Sequence, residues 1–361
     1  MGQGPRALED LGMSFWAGRR VLVTGHTGFK GSWLCEVFLA RGAVVSGLAL
    51  APDTRPALFD QLGLAARMDH ALGDIRDAGL VAARVRAAKP DVVLHLAAQP
   101  LVRRSYREPL ETWATNVMGT AHVLEGVRAL DAPCAVVVVT TDKVYENREW
   151  EHPYRETDPL GGHDPYSASK AGTELVAASW RKAFFAGSGV RLATARAGNV
   201  IGGGDWSEDR ILPDLARAFG AGQPLLVRNR HAVRPWQHVM DPLEGYLMLA
   251  ERLAGSDAAR VEEGFNFGPE PADQRSVGAL VEAARQHWAG DWTDATDAAA
   301  PHEAGQLALS IERSRMVLGW QPRWDFARAV AETVGWYRDV AAGADPAERL
   351  RAQIAAFGGA A

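Results

Sequence analysis

Along the first half of the chain, short uninterrupted apolar runs alternate with longer segments whose apolar positions recur at helical spacing. Arg20–Thr24 reads as a buried strand that stops abruptly at glycine, Phe29–Arg41 as a helix, Ala43–Leu50 as a second strand and His70–Gly73 as a short third. Asp77–Ala88 is predicted helical, ended by Lys89-Pro90. Asp91–Leu96 follows as a strand, Pro109–Leu130 as a long helix, Cys134–Thr140 as a strand, Asp164–Phe185 as a helix and Arg191–Ala197 as a further strand. Strands that are apolar on both faces, with helices between them, predict a parallel sheet covered on both sides, the doubly wound α/β architecture.

The pattern changes after Ala197. Short elements alternate with Gly-, Pro- and Trp-rich loops such as Gly202–Trp206 and Arg234–His238, and helical segments recur near Val239–Arg252, Val277–Gln286 and Phe326–Val340. This predicts a dinucleotide-type domain over residues 15–198. Residues 199–361 are then a smaller mixed lobe, mainly for substrate, with some segments returning to the first domain. Ala254–Val261 and Gly290–Ala300 read as surface loops. Residues 1–14 fit the fold poorly and are expected to be a disordered extension, with Met13 as the natural start.

Composition narrows the classes. A net charge of −5 over 361 residues, with no long basic run, argues against nucleic acid as partner. No apolar run is long enough to span a bilayer, and the start lacks the apolar core of a signal peptide. Cys35 and Cys134 sit in apolar surroundings as small core residues, which fits a reducing cytoplasm. His163 and His238 have no metal-ligand partners at sensible spacing, so no metal is expected.

The candidate chemistry begins at Gly25-His-Thr-Gly28-Phe-Lys-Gly31, between the first strand and the first helix. Gly25 permits a tight turn, Gly28 lets backbone approach a pyrophosphate, and Gly31 permits close packing of helix on strand. The helix N-terminus offers free N–H groups to phosphate, and Thr27, Phe29 and Lys30 belong to the same turn. Asp74 and Ile75, after the third strand, are candidates to hold adenine, and Leu96, Ala97 and Ala98 line the carboxyl end of the fourth. The second strand ends without the acidic residue that would bind the ribose 2′-hydroxyl. Asp53 comes late and Arg55 suits a 2′-phosphate, so the residues leave NAD against NADP open.

Tyr166 and Lys170 stand at i and i+4, on one face of a helix. An ammonium there is expected to lower the phenol pKa, so that the tyrosine can take a hydroxyl proton while hydride leaves carbon. Thr140 and Thr141, ending the fifth strand, face the same place, with Thr141 available to the substrate hydroxyl. Thr-Gly-x-x-Gly-Phe-x-Gly, His-Leu-Ala-Ala and Tyr-x-x-x-Lys together resemble the extended short-chain dehydrogenase/reductases from Phe15 onward. That resemblance implies a Rossmann domain, NAD as cofactor, a bracing role for Asn116 and a homodimer, or a dimer of dimers, formed through the two long helices.

Thr141-Asp142-Lys143-Val-Tyr145-Glu-Asn147 narrows the resemblance to the sugar-nucleotide 4,6-dehydratases, and among them to those acting on CDP-glucose. Such a reaction oxidises C4, eliminates water across C5 and C6, and returns hydride to C6. It needs two acid/base groups beside the tyrosine, and Asp142 and Lys143 stand in place for them. Lys143 must be neutral to act as the C5 base, and the alternative is that it only positions the sugar. On the substrate side Gln99, Arg103, Ser105, Asn199, Gly204, Arg210, Arg234, Trp236 and His238 are the candidates: glycine for close approach to a diphosphate, guanidinium for its charge, tryptophan for stacking. The resemblance places the product in the supply of deoxysugars to surface polysaccharides such as the O-antigen of lipopolysaccharide. Against this stand a 4,6-dehydratase of another nucleotide sugar, a 4-epimerase or reductase, and a non-catalytic dinucleotide sensor.

Overall fold

The computed structural model describes residues 15–296 and 307–359. The extension expected over 1–14 lies outside the described residues, as does part of the loop expected over 290–300. Six parallel strands fill the first half: β1 (Arg20–Thr24), β2 (Val44–Ala49), β3 (Asp69–Leu72), β4 (Val92–His95), β5 (Cys134–Thr141) and β6 (Val190–Ala197). The second half adds β7 (Val200–Ile201), β8 (Leu225–Val227), β9 (Val233–Pro235), β10 (Gln237–His238), β11 (Gly264–Phe267), β12 (Gln274–Ser276) and β13 (Trp292–Asp294). The main sheet is seven-stranded in the order β11-β6-β5-β4-β1-β2-β3, parallel throughout. Its outermost strand beyond β6 therefore comes from the second half of the chain.

Each central strand divides its side chains between two cores, as side-chain alternation requires. Val136 and Val138 of β5 face Val81, Val123, Leu124 and Ala177, on the helices Ala78–Ala88, Gly119–Arg128 and Pro165–Trp180. Val137 and Val139 join the opposite core, with Trp33, Phe38, Leu243 and Tyr246 of the helices Phe29–Ala40 and Met240–Leu253. Both cysteines are buried and free.

The two long helices appear where expected, the first interrupted by a π-helical turn at Ala114–Met118 and the second ending in one at Arg181–Phe185. Asp164 caps the second: its Oδ1 accepts from Ser167 N at 3.0 Å, with Pro165 in the first turn. Among the described residues four α-helices lack a counterpart in the sequence reading: Leu58–Gln61, Val102–Arg107, Ile211–Gly220 and Pro346–Gly358. The first two are short, and the last follows a helix that already ends the apolar pattern. Trp292–Asp294, expected as loop, is instead a strand, because it finds a parallel partner in β8.

Candidate active site

The carboxyl edge of β1, β4 and β5 carries the candidate residues. Gly25 has φ +77°, and a Cβ there would lie 2.7 Å from Ala97 N. At Gly31 a Cβ would meet the Gly25 carbonyl oxygen at 2.1 Å. Gly28 is exposed, with only the Gly25 oxygen near its missing Cβ, at 3.5 Å. The twelve-residue helix Phe29–Ala40 begins without a side-chain cap, so its first N–H groups are available to an anion. These features fit a dinucleotide pyrophosphate. Thr27 does not face outward with its hydroxyl, which donates to the Leu50 carbonyl at 2.8 Å. Ala97 N is held by Thr24 Oγ1, itself 2.6 Å from the buried His95. Leu96 and Ala98 are half-buried. The Asp74 carboxylate is engaged by the Arg76 guanidinium, and Ile75 is buried against Gly119.

Across β4, the turn after β5 gathers the acid/base residues. Thr141 Oγ1 donates to Asp142 Oδ1 at 2.9 Å and acts on the neighbouring Tyr166 phenol, lowering its pKa. Asp142 is buried, and its Oδ2 meets no hydrogen-bond partner. Burial raises its pKa, against the pull of Lys143, the Thr141 hydroxyl, Arg234 and Lys30. A carboxyl held towards its neutral form can donate a proton. Lys143 is half-buried beside it. Lys30 is half-buried as well. Burial and the charge of Arg210 lower its pKa to about 7, while Asp142 and Asp205 oppose that shift.

One expectation is corrected here. Lys170 was expected to bring the Tyr166 phenol towards neutrality, but its ammonium donates to the Val139 carbonyl at 3.0 Å. Burial sets both groups: it pushes Tyr166 up to about 12, opposed by Thr141 and Arg210, and pulls Lys170 down to about 8.

The substrate-side candidates divide. Arg210 pairs with Asp205 at 3.3 Å, and the buried Arg234 acts electrostatically on Asp142. Asn199 and Arg103 are half-buried, the latter on the helix Val102–Arg107. The Gln99 amide is used within the chain, towards Leu101 and Thr112, and the Ser105 hydroxyl donates to Val102 O. Trp236 is not a free stacking ring: it is 5 % exposed, packed in the lobe core, and its Nε1 donates to Arg275 O at 2.9 Å. His238 is fully buried between Trp33 and Trp324, and burial lowers its pKa to about 3. Gly204 has φ +83°, and the spaces left by Gly203 and Gly204 are filled by Trp336 and Leu58 rather than left open for a diphosphate.

Asn116, to which the resemblance gave a bracing role, clamps the Gln99 backbone from both sides and donates to Ser169. Two residues in the site's frame were missed from the sequence: Glu174 and Arg196 form a buried ion pair that receives the Thr140 hydroxyl. A signal existed: Glu174 continues the Tyr166–Lys170 stripe by one turn, and Arg196 is a charge within an apolar strand. Neither charge can be buried without a partner. Among the described residues no three acidic, histidine or cysteine side chains form a metal-binding group, and no helix is long and apolar enough to cross a membrane.

Comparison with known proteins agrees with this geometry. The family model for GDP-mannose 4,6-dehydratase matches residues 22–333. The CDP-glucose 4,6-dehydratase of Salmonella typhimurium is 47 % identical over 331 residues, covering 90 % of this chain and 92 % of that protein. Among solved structures, the dTDP-glucose 4,6-dehydratase DesIV of Streptomyces venezuelae, with NAD bound, superposes with a TM-score of 0.76 at 28 % identity, covering 91 % of this chain and 99 % of that one. The epimerase Mth375 of Methanothermobacter thermautotrophicus reaches a TM-score of 0.77 at 21 % identity, covering 93 % of this chain and 97 % of that one, a likeness of fold alone.

Proposed function

We propose that this chain, which belongs to the GDP-mannose 4,6-dehydratase family, is an NAD-dependent CDP-glucose 4,6-dehydratase that forms CDP-4-dehydro-6-deoxyglucose and water. The observation that carries the reaction class is the buried Asp142 carboxyl, held towards its neutral form beside Thr141 and Tyr166. The substrate assignment rests on the Salmonella relative.

NAD, when bound, supplies a reversible hydride acceptor. Gly25, Gly28, Gly31 and the uncapped helix start receive its pyrophosphate. Tyr166, as its phenolate, takes the proton of the C4 hydroxyl as hydride leaves C4, and Thr141 and Arg210 favour that form against burial. The new ketone acidifies the C5 proton, and Lys143 in its neutral form removes it. Asp142 protonates the C6 hydroxyl, which leaves as water. Hydride then returns to C6 and a proton to C5, so the net change is loss of one water. Arg210 and Arg234 supply positive charge for the substrate diphosphate, whereas Gln99, Ser105, Trp236 and His238 act within the protein frame.

The chain acts as a homodimer in the cytoplasm, and its product serves deoxysugars of surface polysaccharides. The support for the dimer is an apolar strip on the two long helices: Leu110 is 84 % exposed, Leu175 63 %, Met118 52 % and Trp113 42 %. A second copy of the same strip would cover it, and Leu175→Asp should shift the mass in light scattering to that of one chain.

The test is incubation with CDP-glucose, dTDP-glucose, UDP-glucose and GDP-mannose, each separately, followed by mass and by the alkali-induced absorbance of a 4-keto-6-deoxy sugar. Loss of water with CDP-glucose alone is expected. Turnover of another sugar would keep the mechanism and discard the nucleotide, and a 4-epimer without loss of water would overturn the dehydratase.

A further inference from the structure

The turn Thr140–Tyr145 carries Thr141, Asp142 and Lys143, and both its ends are tied to one buried ion pair. Arg196 of β6 meets Glu174 of the helix Pro165–Trp180 through Nη2–Oε2 at 2.9 Å and Nε–Oε1 at 3.0 Å. Thr140 Oγ1 donates to Glu174 Oε1 at 2.6 Å, which fixes the start of the turn. At its far end Arg196 Nη1 donates to the Tyr145 hydroxyl at 2.9 Å, and that hydroxyl donates to Asn266 Oδ1 at 2.7 Å. Arg196 Nη1 also donates to the Glu156 carbonyl at 3.2 Å. Thr194 Oγ1 fills the remaining acceptor position on Glu174 at 2.7 Å.

The two charged side chains are 6 % and 4 % exposed. A buried pair of this kind adds little stability over an apolar replacement, because desolvation cancels most of the attraction. What it does provide is geometry, since a guanidinium fork fixes direction as well as distance. Two of its four outward bonds go to the two ends of the turn that bears the acid/base residues, and the others go to Thr194 and the Glu156 carbonyl.

Resting on the dehydratase reading above, we propose that Glu174 and Arg196 are positioning residues. They hold the Asp142–Lys143 turn in register with C5 and C6, and so serve the elimination half of the reaction rather than the oxidation at C4. The oxidation is carried by Tyr166, which shares its helix with Glu174 but is also held by the cap at Asp164 and by Asn116's bond to Ser169, near the other end of that helix.

The test cuts one tether at a time. Tyr145→Phe removes the hydroxyl and leaves the ion pair, and Thr140→Val removes the other tether, with Thr140→Ser as the conservative rescue. Arg196→Lys keeps the charge and loses the fork. Single-turnover mixing with CDP-glucose would follow the absorbance of reduced cofactor and the appearance of 4-keto-6-deoxy product. Tyr145→Phe is expected to oxidise C4 at the wild-type rate, accumulate reduced cofactor, and form product about ten- to a hundredfold more slowly. Thr140→Val should do the same and Thr140→Ser should restore the rate, with thermal midpoints of all variants recorded alongside. Equal slowing of oxidation and elimination, or a change confined to KM, would overturn the positioning role. If the wild type acts on another nucleotide sugar, the same comparison is made with that sugar. If it dehydrates none, the dehydratase reading fails and the positioning role falls with it.

Discussion

The turn after β1 and the turn after β5 both leave the carboxyl edge of the sheet, on either side of β4, and they are held by opposite means. The β1 turn is held by missing atoms. Gly25 and Gly31 let backbone approach backbone, and a single Cβ at Gly31 would lie 2.1 Å from a carbonyl oxygen. The β5 turn is held by added atoms, a carboxylate and a guanidinium from two other elements bonded to Thr140 and Tyr145. A site that must accept a pyrophosphate needs shape and free N–H groups, which backbone supplies. A site that must place a proton on one oxygen and remove it from one carbon needs directed side chains, and these need a frame. The difference predicts that damage to the first turn appears in binding and stability, and damage to the second in one chemical step.

Asp142→Asn is the largest expected break in the second turn. It keeps the volume and the acceptor for Thr141 but has no acidic proton to give. Product formation should fall about a hundred- to ten-thousandfold. C4 oxidation should persist, so reduced cofactor should build up in a single turnover. Loss of that oxidation as well would mean that Asp142 serves the Tyr166 step.

The first turn is broken by Gly31→Ala, where the clashing atoms are backbone and cannot step aside. The expected cost is about 3 kcal/mol of stability or more, with cofactor lost on purification. Gly28→Ala sharpens the point. Its Cβ would have an ordinary 3.5 Å contact, so unfolding of the cofactor-free protein should change by less than about 0.5 kcal/mol. Its effect should emerge only as weaker cofactor binding, measured by titration. Equal thermal losses in the two variants would remove the distinction.

The same contrast explains what could be read from the sequence. The parallel sheet and the glycine turn are local: an apolar run, a glycine spacing and a helix start lie within Arg20–Ala40. Tyr166, Lys170, Thr141 and Asp142 were legible because their spacing is also local. The frame was not, since Glu174 and Arg196 lie 34 and 51 positions from the atoms they hold in Thr140 and Tyr145. Nor could the sequence say which way a side chain faces once buried. Trp236 and His238 carry the right chemistry for a nucleotide, yet packing claims both, and the Gly202–Gly204 run serves Trp336, Leu58 and Val239. The phenol of Tyr166 was misjudged for a related reason: i and i+4 spacing shares a helix face but does not bring Lys170 Nζ to the hydroxyl, and the Val139 carbonyl takes it.

Trp236→Phe is a smaller test, of that packing role. It removes the donor to Arg275 O and some apolar contact, so stability should fall by about 1–2 kcal/mol in denaturant unfolding. KM for the nucleotide sugar should stay within about twofold. A tenfold rise in KM at unchanged stability would return the ring to the substrate.

The smallest effect on turnover is expected outside both turns, at Glu251. Its Oε1 accepts from Trp16 Nε1 at 2.5 Å, and burial raises its pKa from the ordinary 4.5 to about 7. The folded chain therefore binds this proton more tightly than the unfolded chain does. That contribution to stability is complete below about pH 4.5 and is lost as pH rises through about 7. Glu251→Gln cannot ionise and keeps an acceptor for Trp16. Between those two values its thermal midpoint should fall less steeply with pH than the wild type's. Some slope should remain, because Asp241 is raised to about 7 in the same direction. At pH 8 the variant should be the more stable by roughly 1–2 kcal/mol. Turnover should not change, because neither turn is touched. An unaltered slope would show that the Glu251 carboxyl reaches water in the folded protein, and a change in turnover would show that the titrating frame extends to the active site.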